Sequence, residues 1–132
     1  MRFLRLDYPQ AEQMYRRMVF NVLARNCDDH TKSFAFTMDK QGRWALAPAY
    51  DVCHAYRPDS PSVSQQSLSV NGKRQGIDRK DLLEVAKQMT IKKSDETIRE
   101  IESILKQWPD YANQCNVESV LQKAIAETLI QL

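Results

Sequence analysis

The sequence predicts a mainly α-helical domain with one small β-hairpin. Four stretches carry apolar residues at helical spacing, and two short alternating runs follow the first of them. At 132 residues the chain is long enough to bury a core of its own, and 42% hydrophobic with 27% charged residues is typical of a soluble globular protein. We therefore expect a single domain over residues 1–132.

The first helix is predicted over residues 9–25. Arg25 is placed in its last turn, where a cation suits the negative end of the helix dipole, and Asn26 is expected to end it. The residues that recur with a helical period, and are expected to face the core, are Met14, Tyr15, Met18, Val19, Val22 and Leu23.

A β-hairpin is predicted next, from the alternating runs at residues 33–38 and 43–47. The four residues between them, Asp39-Lys-Gln-Gly42, have the composition of a turn. The polar stretch at residues 57–66 contains two prolines and is predicted to be a loop.

The second half of the chain is predicted to form three more helices. Asp78, Ser94 and Asn116 are their expected N-caps, and Pro109 is expected to end the second of them. Each helix has an apolar face that is expected to be core. These faces are Leu82, Leu83, Val85, Ala86 and Met89; then Ile98, Ile101, Leu105 and Trp108; then Val117, Val120, Leu121, Ala124, Ile125 and Leu129.

Composition argues against several classes of protein. No apolar run approaches the roughly 20 residues of a membrane span, and the apolar stretch at residues 1–7 is too short for a signal peptide. Three cysteines cannot pair off fully and suit a reducing compartment, so we expect a cytoplasmic protein. The net charge of +2 is too weak to indicate nucleic-acid binding.

Polar and charged residues crowd the segment between the first helix and the hairpin, Asn26-Cys-Asp-Asp-His-Thr-Lys-Ser33. A second acid, Asp51, follows the second predicted strand. An acidic loop, a hairpin and another acid is the order found in the C-terminal lobe of protein-kinase-like enzymes, where one acid orients the substrate hydroxyl and the other holds magnesium. We therefore expect Asp28 and Asp51 to lie close together beside the hairpin.

Two other interpretations of these residues stay open. Asp28 and Asp29 can be turn residues that accept hydrogen bonds from backbone donors after a helix. A zinc site is also conceivable on paper, although neighbouring residues 53 and 54 would point in opposite directions on an extended backbone. Its four ligands would be Cys27, His30, Cys53 and His54.

Three segments together resemble the HipA family of kinase toxins: Arg17-Met-Val-Phe-Asn-Val-Leu23, Asp28-Asp-His-Thr-Lys32 with Phe34, and Leu46-Ala-Pro-Ala-Tyr-Asp51. Leu68-Ser-Val-Asn-Gly-Lys73 and the helix at residues 79–89 are similar to the C-terminal portion of the same family. The resemblance implies a helical kinase-like C-terminal lobe that takes part in the transfer of phosphate from ATP, with magnesium, to a protein serine or threonine.

The resemblance also implies a role for each matching site residue. Asp28 would be the catalytic base and Asp51 the main magnesium ligand, while His30 and Lys32 would support the catalytic loop and Lys32 would neutralise phosphate charge of ATP. The family commonly has asparagine five residues after the base, and Ser33 stands there in this chain. Because magnesium accepts a serine hydroxyl as a ligand, Ser33 is expected to contribute directly or through a water.

The chain contains three glycines and no glycine-rich phosphate loop. We therefore expect the ATP-binding lobe to be absent from it, whether the chain is a fragment, a gene remnant or one subunit of a split kinase. The partners that the resemblance implies are that missing lobe, a protein substrate and a helix-turn-helix antitoxin, with nucleic acid contacted only through the antitoxin. The alternative function is a non-enzymatic module that docks an antitoxin or another protein.

Overall fold

The computed structural model describes residues 4–132 as a helical domain with a two-stranded hairpin. The prediction of a mainly α-helical fold is confirmed. None of the helices in this range has both the length and the apolar character that crossing a bilayer requires. Residues 1–3, on which the argument against a signal peptide partly rests, lie outside the described residues. In chain order, the elements are α1 (Tyr8–Leu23), β1 (Phe36–Met38), β2 (Trp44–Leu46), α2 (Arg79–Met89), α3 (Ser94–Leu105), α4 (Trp108–Gln114) and α5 (Ser119–Ala126).

Helix α1 begins at an aspartate cap and ends two residues earlier than predicted. The Asp7 side chain accepts a hydrogen bond from the backbone of Gln10. Arg25 does not lie in the last turn, because its φ of 57° is left-handed, and the Asn26 amide reaches back to the Asn21 carbonyl at 2.9 Å. A left-handed residue of this kind turns the chain out of a helix.

The core lies where α1 packs against α2 and α3. The Tyr15 hydroxyl donates a hydrogen bond to the carbonyl of Leu82 at 3.1 Å and so joins α1 to α2. Removing a large apolar side chain from water contributes about 1.5–3 kcal/mol, so this cluster is a main source of stability. Its fully buried members are Tyr15, Val19, Val22, Leu23, Leu82 and Ile98.

The predicted hairpin forms, although its strands are shorter than expected. β1 and β2 pair antiparallel, and the Asp39 carboxylate closes the turn by accepting hydrogen bonds from the amides of Gln41 and Arg43, both at 2.9 Å. The first strand starts late because Thr31–Ser33 form a 3-10 turn. The Arg17 guanidinium donates to the carbonyl of Ala47 at 2.7 Å and thereby ties the end of the hairpin to α1.

The second half confirms the predicted bounds of α2 and corrects three details. Asp78 caps α2 as expected, in a capping box with Asp81. Ser94 is the first residue of α3 rather than its cap. Pro109 does not end α3 but lies in the first turn of α4, where proline costs no hydrogen bond. Asn116, at φ 54°, follows α4 in a left-handed conformation and does not cap α5.

The expectation that the last helix has a buried apolar face is wrong. No residue of α5 is buried, and Val120 and Leu121 are 72% and 51% exposed. The physical reason is that the main contacts of α5 are with α4, so its other side stays largely uncovered. The chain end returns to the core beyond α5, where the amide of Ile130 donates to the carbonyl of Leu23 at 2.9 Å.

Candidate active site

Two loops meet beside the hairpin, the acidic loop (residues 26–33) and the Asp51 loop (residues 47–55). They are joined by backbone hydrogen bonds, from the Cys27 amide to the Ala55 carbonyl and from the Ala55 amide to the Arg25 carbonyl, both at 3.0 Å. Since the acidic loop starts directly after α1, this pairing places both loops at the end of the buried helix.

Asp28, His30 and Asp51 form a cluster at this junction. One ligand atom from each side chain lies within 4.8 Å of the other two. The expectation that Asp28 and Asp51 lie close together is confirmed. Asp28 and His30 are half-buried and Asp51 is exposed, so the cluster opens to solvent.

Ser33 connects His30 to Asp51. Its hydroxyl donates to Oδ2 of Asp51 at 3.1 Å and lies 3.4 Å from Nδ1 of His30. A hydroxyl has one proton, so with that proton on Asp51 the nitrogen of His30 must donate in the second contact. The other ring nitrogen, Nε2, lies 3.8 Å from Oδ1 of Asp28. His30 therefore stands between Asp28 and Ser33.

Asp51 has an unusual backbone conformation. Its φ of 55° is in the left-handed region, which residues other than glycine adopt infrequently, although aspartate does so more readily than most. Such outliers persist where the surroundings hold them, and they concentrate at functional sites. The Asp51 carbonyl accepts a hydrogen bond from Nδ2 of Asn26 at 3.4 Å.

Lys32 lies in the short 3-10 turn of the acidic loop, and its side chain is exposed. Its backbone is fixed, because the carbonyl of Lys32 accepts a hydrogen bond from the Tyr50 hydroxyl at 2.6 Å. The ammonium group thus extends from a fixed point of the acidic loop.

Asp29 accepts hydrogen bonds from backbone amides, the structural role that the turn interpretation expected for both Asp28 and Asp29. It is 4% exposed, and its Oδ1 accepts hydrogen bonds from the amides of Ser67 at 2.7 Å and Leu68 at 3.2 Å. These donors belong to a distant segment rather than to the turn itself. Asp28 makes no such contact with a backbone amide among residues 4–132, and it faces the cluster.

The four ligands of the zinc interpretation do not converge. Cys27 is buried, its thiol donates to Oε1 of Gln66 at 3.1 Å, and burial raises its pKa. His54 pairs through Nε2 with the hydroxyl of Thr128 at 2.7 Å, and Cys53 is exposed. Within the described part of the chain, the group of acidic, histidine and cysteine side chains that could hold a metal is Asp28, His30 and Asp51.

Two buried asparagines next to the cluster were not predicted as site residues. Asn21 is 5% and Asn26 is 1% exposed, and Nδ2 of Asn26 donates to Oδ1 of Asn21 at 3.0 Å. The sequence held one weak signal for them, since two amide side chains flank the apolar last turn of the predicted helix, Val22-Leu-Ala24.

The chemistry of the cluster suits a hard divalent cation. The carboxylates of Asp28 and Asp51 and the hydroxyl of Ser33 are oxygen ligands, which magnesium prefers. A proton acceptor is available in the same place, because Asp28 forms no short hydrogen bond with the other described residues. The residues present therefore fit a magnesium site beside a carboxylate base.

Comparisons with known proteins identify one family. The model of the HipA-like C-terminal domain matches residues 1–109, which is most of the chain. Neither a curated protein nor a solved structure matches it.

Proposed function

The chain belongs to the family of HipA-like C-terminal domains, and we propose that it is the catalytic lobe of a magnesium- and ATP-dependent serine/threonine protein kinase. The observation that carries this proposal is the convergence of Asp28, His30 and Asp51 within 4.8 Å. Two acids from separate loops, brought together at the end of a buried helix, are the arrangement that phosphoryl transfer requires of this lobe.

In the proposed reaction, each side chain of the site has a separate task. Asp28 accepts the proton of the substrate hydroxyl as that oxygen bonds to the γ-phosphorus of ATP and the bond to the leaving ADP oxygen breaks. His30, which stands between Asp28 and Ser33, braces the acidic loop. Lys32, whose ammonium is exposed, neutralises phosphate charge.

Asp51 and Ser33 are the proposed magnesium ligands, and the bound ion would neutralise negative charge on the phosphate oxygens. The hydrogen bond from Ser33 to Oδ2 of Asp51 keeps both oxygen atoms on the same side of the cleft. Ser33 is short, so it reaches the ion directly or through one of the waters that magnesium retains.

The proposal also includes partners. The chain contains no glycine-rich phosphate loop, so we expect the ATP-binding lobe to come from outside these 132 residues. A toxin–antitoxin setting in the cytoplasm, a helix-turn-helix antitoxin and a protein substrate follow from the family and not from the geometry.

A metal titration tests the proposal. We expect the chain to bind one Mn²⁺, used as a paramagnetic stand-in for Mg²⁺, with Asp51→Asn losing at least about tenfold in affinity because a charged ligand is removed. Ser33→Ala should lose less Mn²⁺ affinity than Asp51→Asn, and Ser33→Asn should bind Mn²⁺ more tightly than wild type. Asp59→Asn, which removes an exposed carboxylate of the loop at residues 57–66, is the matched control.

Equal Mn²⁺ affinity of wild type and Asp51→Asn would refute the metal site. Equal affinity of wild type, Ser33→Ala and Ser33→Asn would remove Ser33 alone from it. With the ATP-binding lobe supplied, Asp28→Asn should abolish phosphotransfer and leave the fold intact. A chain that binds no divalent ion but still captures an antitoxin would favour the non-enzymatic alternative.

A further inference from the structure

The side chain of Asn26 is buried between α1 and the Asp51 loop. Its Nδ2 carries two protons, and each has an acceptor: Oδ1 of Asn21 at 3.0 Å and the backbone carbonyl of Asp51 at 3.4 Å. Its Oδ1, by contrast, has no hydrogen-bond partner among the described residues, although the atom is buried. The amide is therefore used as a donor only.

An amide side chain that only donates hydrogen bonds destabilises a buried position. A buried acceptor without a partner costs about 1–3 kcal/mol, and an apolar side chain of similar shape would avoid that cost. Asn26 is 1% exposed, so solvent offers little relief. Packing alone does not account for asparagine here, and what the amide adds is its pair of donors.

One of those donors acts on Asp51, the residue with the left-handed backbone. Asp51 is exposed, so packing does little to hold its φ of 55°. Two hydrogen bonds hold Asp51: Nδ2 of Asn26 fixes its carbonyl, and the Ser33 hydroxyl contacts its carboxylate. If the backbone relaxed to an extended conformation, its Cβ would point elsewhere and the carboxylate would leave the cluster.

Asn26 is itself well fixed for this task. Its backbone carbonyl accepts a hydrogen bond from Nε2 of Gln66 at 3.0 Å, and Asn26 pairs with Ala55 in a β-bridge at the far end of the Asp51 loop. Asn21, Asn26, Ser33 and Asp51 all line the same small pocket.

We propose that Asn26 is a positioning residue for Asp51, and that its amide, oriented by Asn21, holds the left-handed backbone that aims the Asp51 carboxylate at Asp28 and Ser33. The consequence for metal binding rests on the proposed function. The consequence for the conformation of Asp51 does not.

The test uses the full 132-residue chain and two readouts, the NMR chemical shifts of the Asp51 backbone and the affinity for Mn²⁺. Asn26→Ala should move the Asp51 shifts away from left-handed values and weaken Mn²⁺ binding by about tenfold, the usual scale for losing an outer-shell partner of a metal ligand. Asn21→Ala should change both in the same direction by less, and it replaces Asn26→Ala should that variant not fold.

Asp81→Asn is the matched control. Asp81 is 3% exposed and accepts hydrogen bonds from Asn71 and Lys73, so the change weakens a buried polar contact away from Asn26 and Asp51. It should lower the melting temperature, while the Asp51 shifts stay as in wild type and the Mn²⁺ affinity stays within about twofold of it.

The two proposals fail in different ways. If wild type binds no Mn²⁺, the proposed function fails and the Asp51 shifts alone decide the role of Asn26. If wild type binds Mn²⁺, unchanged Asp51 shifts or unchanged affinity in the folded asparagine variants overturns the inference. An equal loss of affinity in Asp81→Asn overturns it too, because the effect would then be general destabilisation.

Discussion

Helices α1 and α5 carry apolar residues at similar spacing but meet different surroundings. On α1, Tyr15, Val19 and Leu23 are fully buried because α2 and α3 both cover it. On α5 no residue is buried, and Val120 is 72% exposed, because the main contacts of α5 are with α4, on one side only. An apolar face in this domain is therefore buried where two or more elements pack against it.

The same difference in packing affects where a functional site can form. The acidic loop leaves the end of α1, whose position is fixed by the core on several sides. Rigid support of this kind is what keeps catalytic groups in register. The segment after α5 touches the Asp51 loop through the contact between Thr128 and His54.

The largest expected effect tests the core side of the comparison. Leu82 of α2 is fully buried against α1, so Leu82→Ala should lower the free energy of unfolding by about 3 kcal/mol, through lost burial and the cavity left behind. Urea unfolding followed by circular dichroism measures it. Leu121→Ala removes the same atoms from α5, where the side chain is 51% exposed, and should cost less than about 0.5 kcal/mol. Equal costs would break the comparison.

The next effect concerns how α2 is anchored. Asp81 is 3% exposed and accepts hydrogen bonds from Asn71, Lys73 and the amide of Asp78, so Asp81→Asn should cost about 2 kcal/mol at neutral pH. Asp110→Asn, in the exposed first turn of α4, is the matched control and should cost little.

The contribution of Asp81 has a defined pH dependence. The hydrogen bond from the Asp78 amide, followed by those from Lys73 and Asn71, holds the pKa of Asp81 well below its usual range. A lowered carboxyl pKa contributes stability above the unfolded value of about 3.9, and that stability is lost as the pH falls further. The difference between wild type and Asp81→Asn should therefore shrink below about pH 4. A constant difference would contradict this assignment.

A smaller effect is expected at the hydrogen bond between α1 and α2. Tyr15→Phe removes the bond to the Leu82 carbonyl and should cost about 1 kcal/mol. Burial raises the pKa of Tyr15 to about 12, so the folded chain keeps this phenol protonated while an unfolded one ionises near 10. Stability should thus fall as the pH rises above about 10. The ultraviolet absorbance of the folded chain should show a late ionisation step, and Tyr15→Phe should remove it.

The smallest expected effect lies at the contact of the chain end with the Asp51 loop. Desolvation, and then the charge of Arg25, lower the pKa of His54. A histidine with a lowered pKa contributes stability above its unfolded value of about 6.5, which is lost as the pH falls below it. His54→Gln should remove this dependence and change stability by about 0.5 kcal/mol at neutral pH. Unfolding curves at neutral and mildly acidic pH measure this pH dependence of stability. If His54→Gln leaves it unchanged, another residue is responsible for it.

The sequence predicted those elements in which local signals agree. The bounds of α2 were predictable because Asp78 and Asp81 form a capping box directly before an apolar stripe. Pro109 and Asn116 were misassigned because each residue type has two positions where it is favoured. Proline can follow a helix or sit in its first turn, and asparagine can cap a helix or turn left-handed after one.

The candidate site could be predicted from the sequence to a similar extent. The order of acidic loop, hairpin and acid was enough to predict that Asp28 and Asp51 meet, because a hairpin returns the chain to its starting point. The role of Asn26 was not, since its partner Asp51 is 25 residues away and hydrogen bonds of that kind leave no periodic trace in a sequence. The exposure of Val120 could not be predicted for a similar reason. Which elements cover a helix is decided only when the whole domain is assembled.

The carboxylate of Asp29 has a consequence for how the site opens. It holds the amides of Ser67 and Leu68 across separations of 38 and 39 residues, so these two amide protons are protected by a side chain of the acidic loop and not by a helix or strand. Local openings need less free energy than global unfolding. Hydrogen exchange at Ser67 and Leu68 should therefore report the opening of the acidic loop, while the α2 amides exchange only when the core itself comes apart.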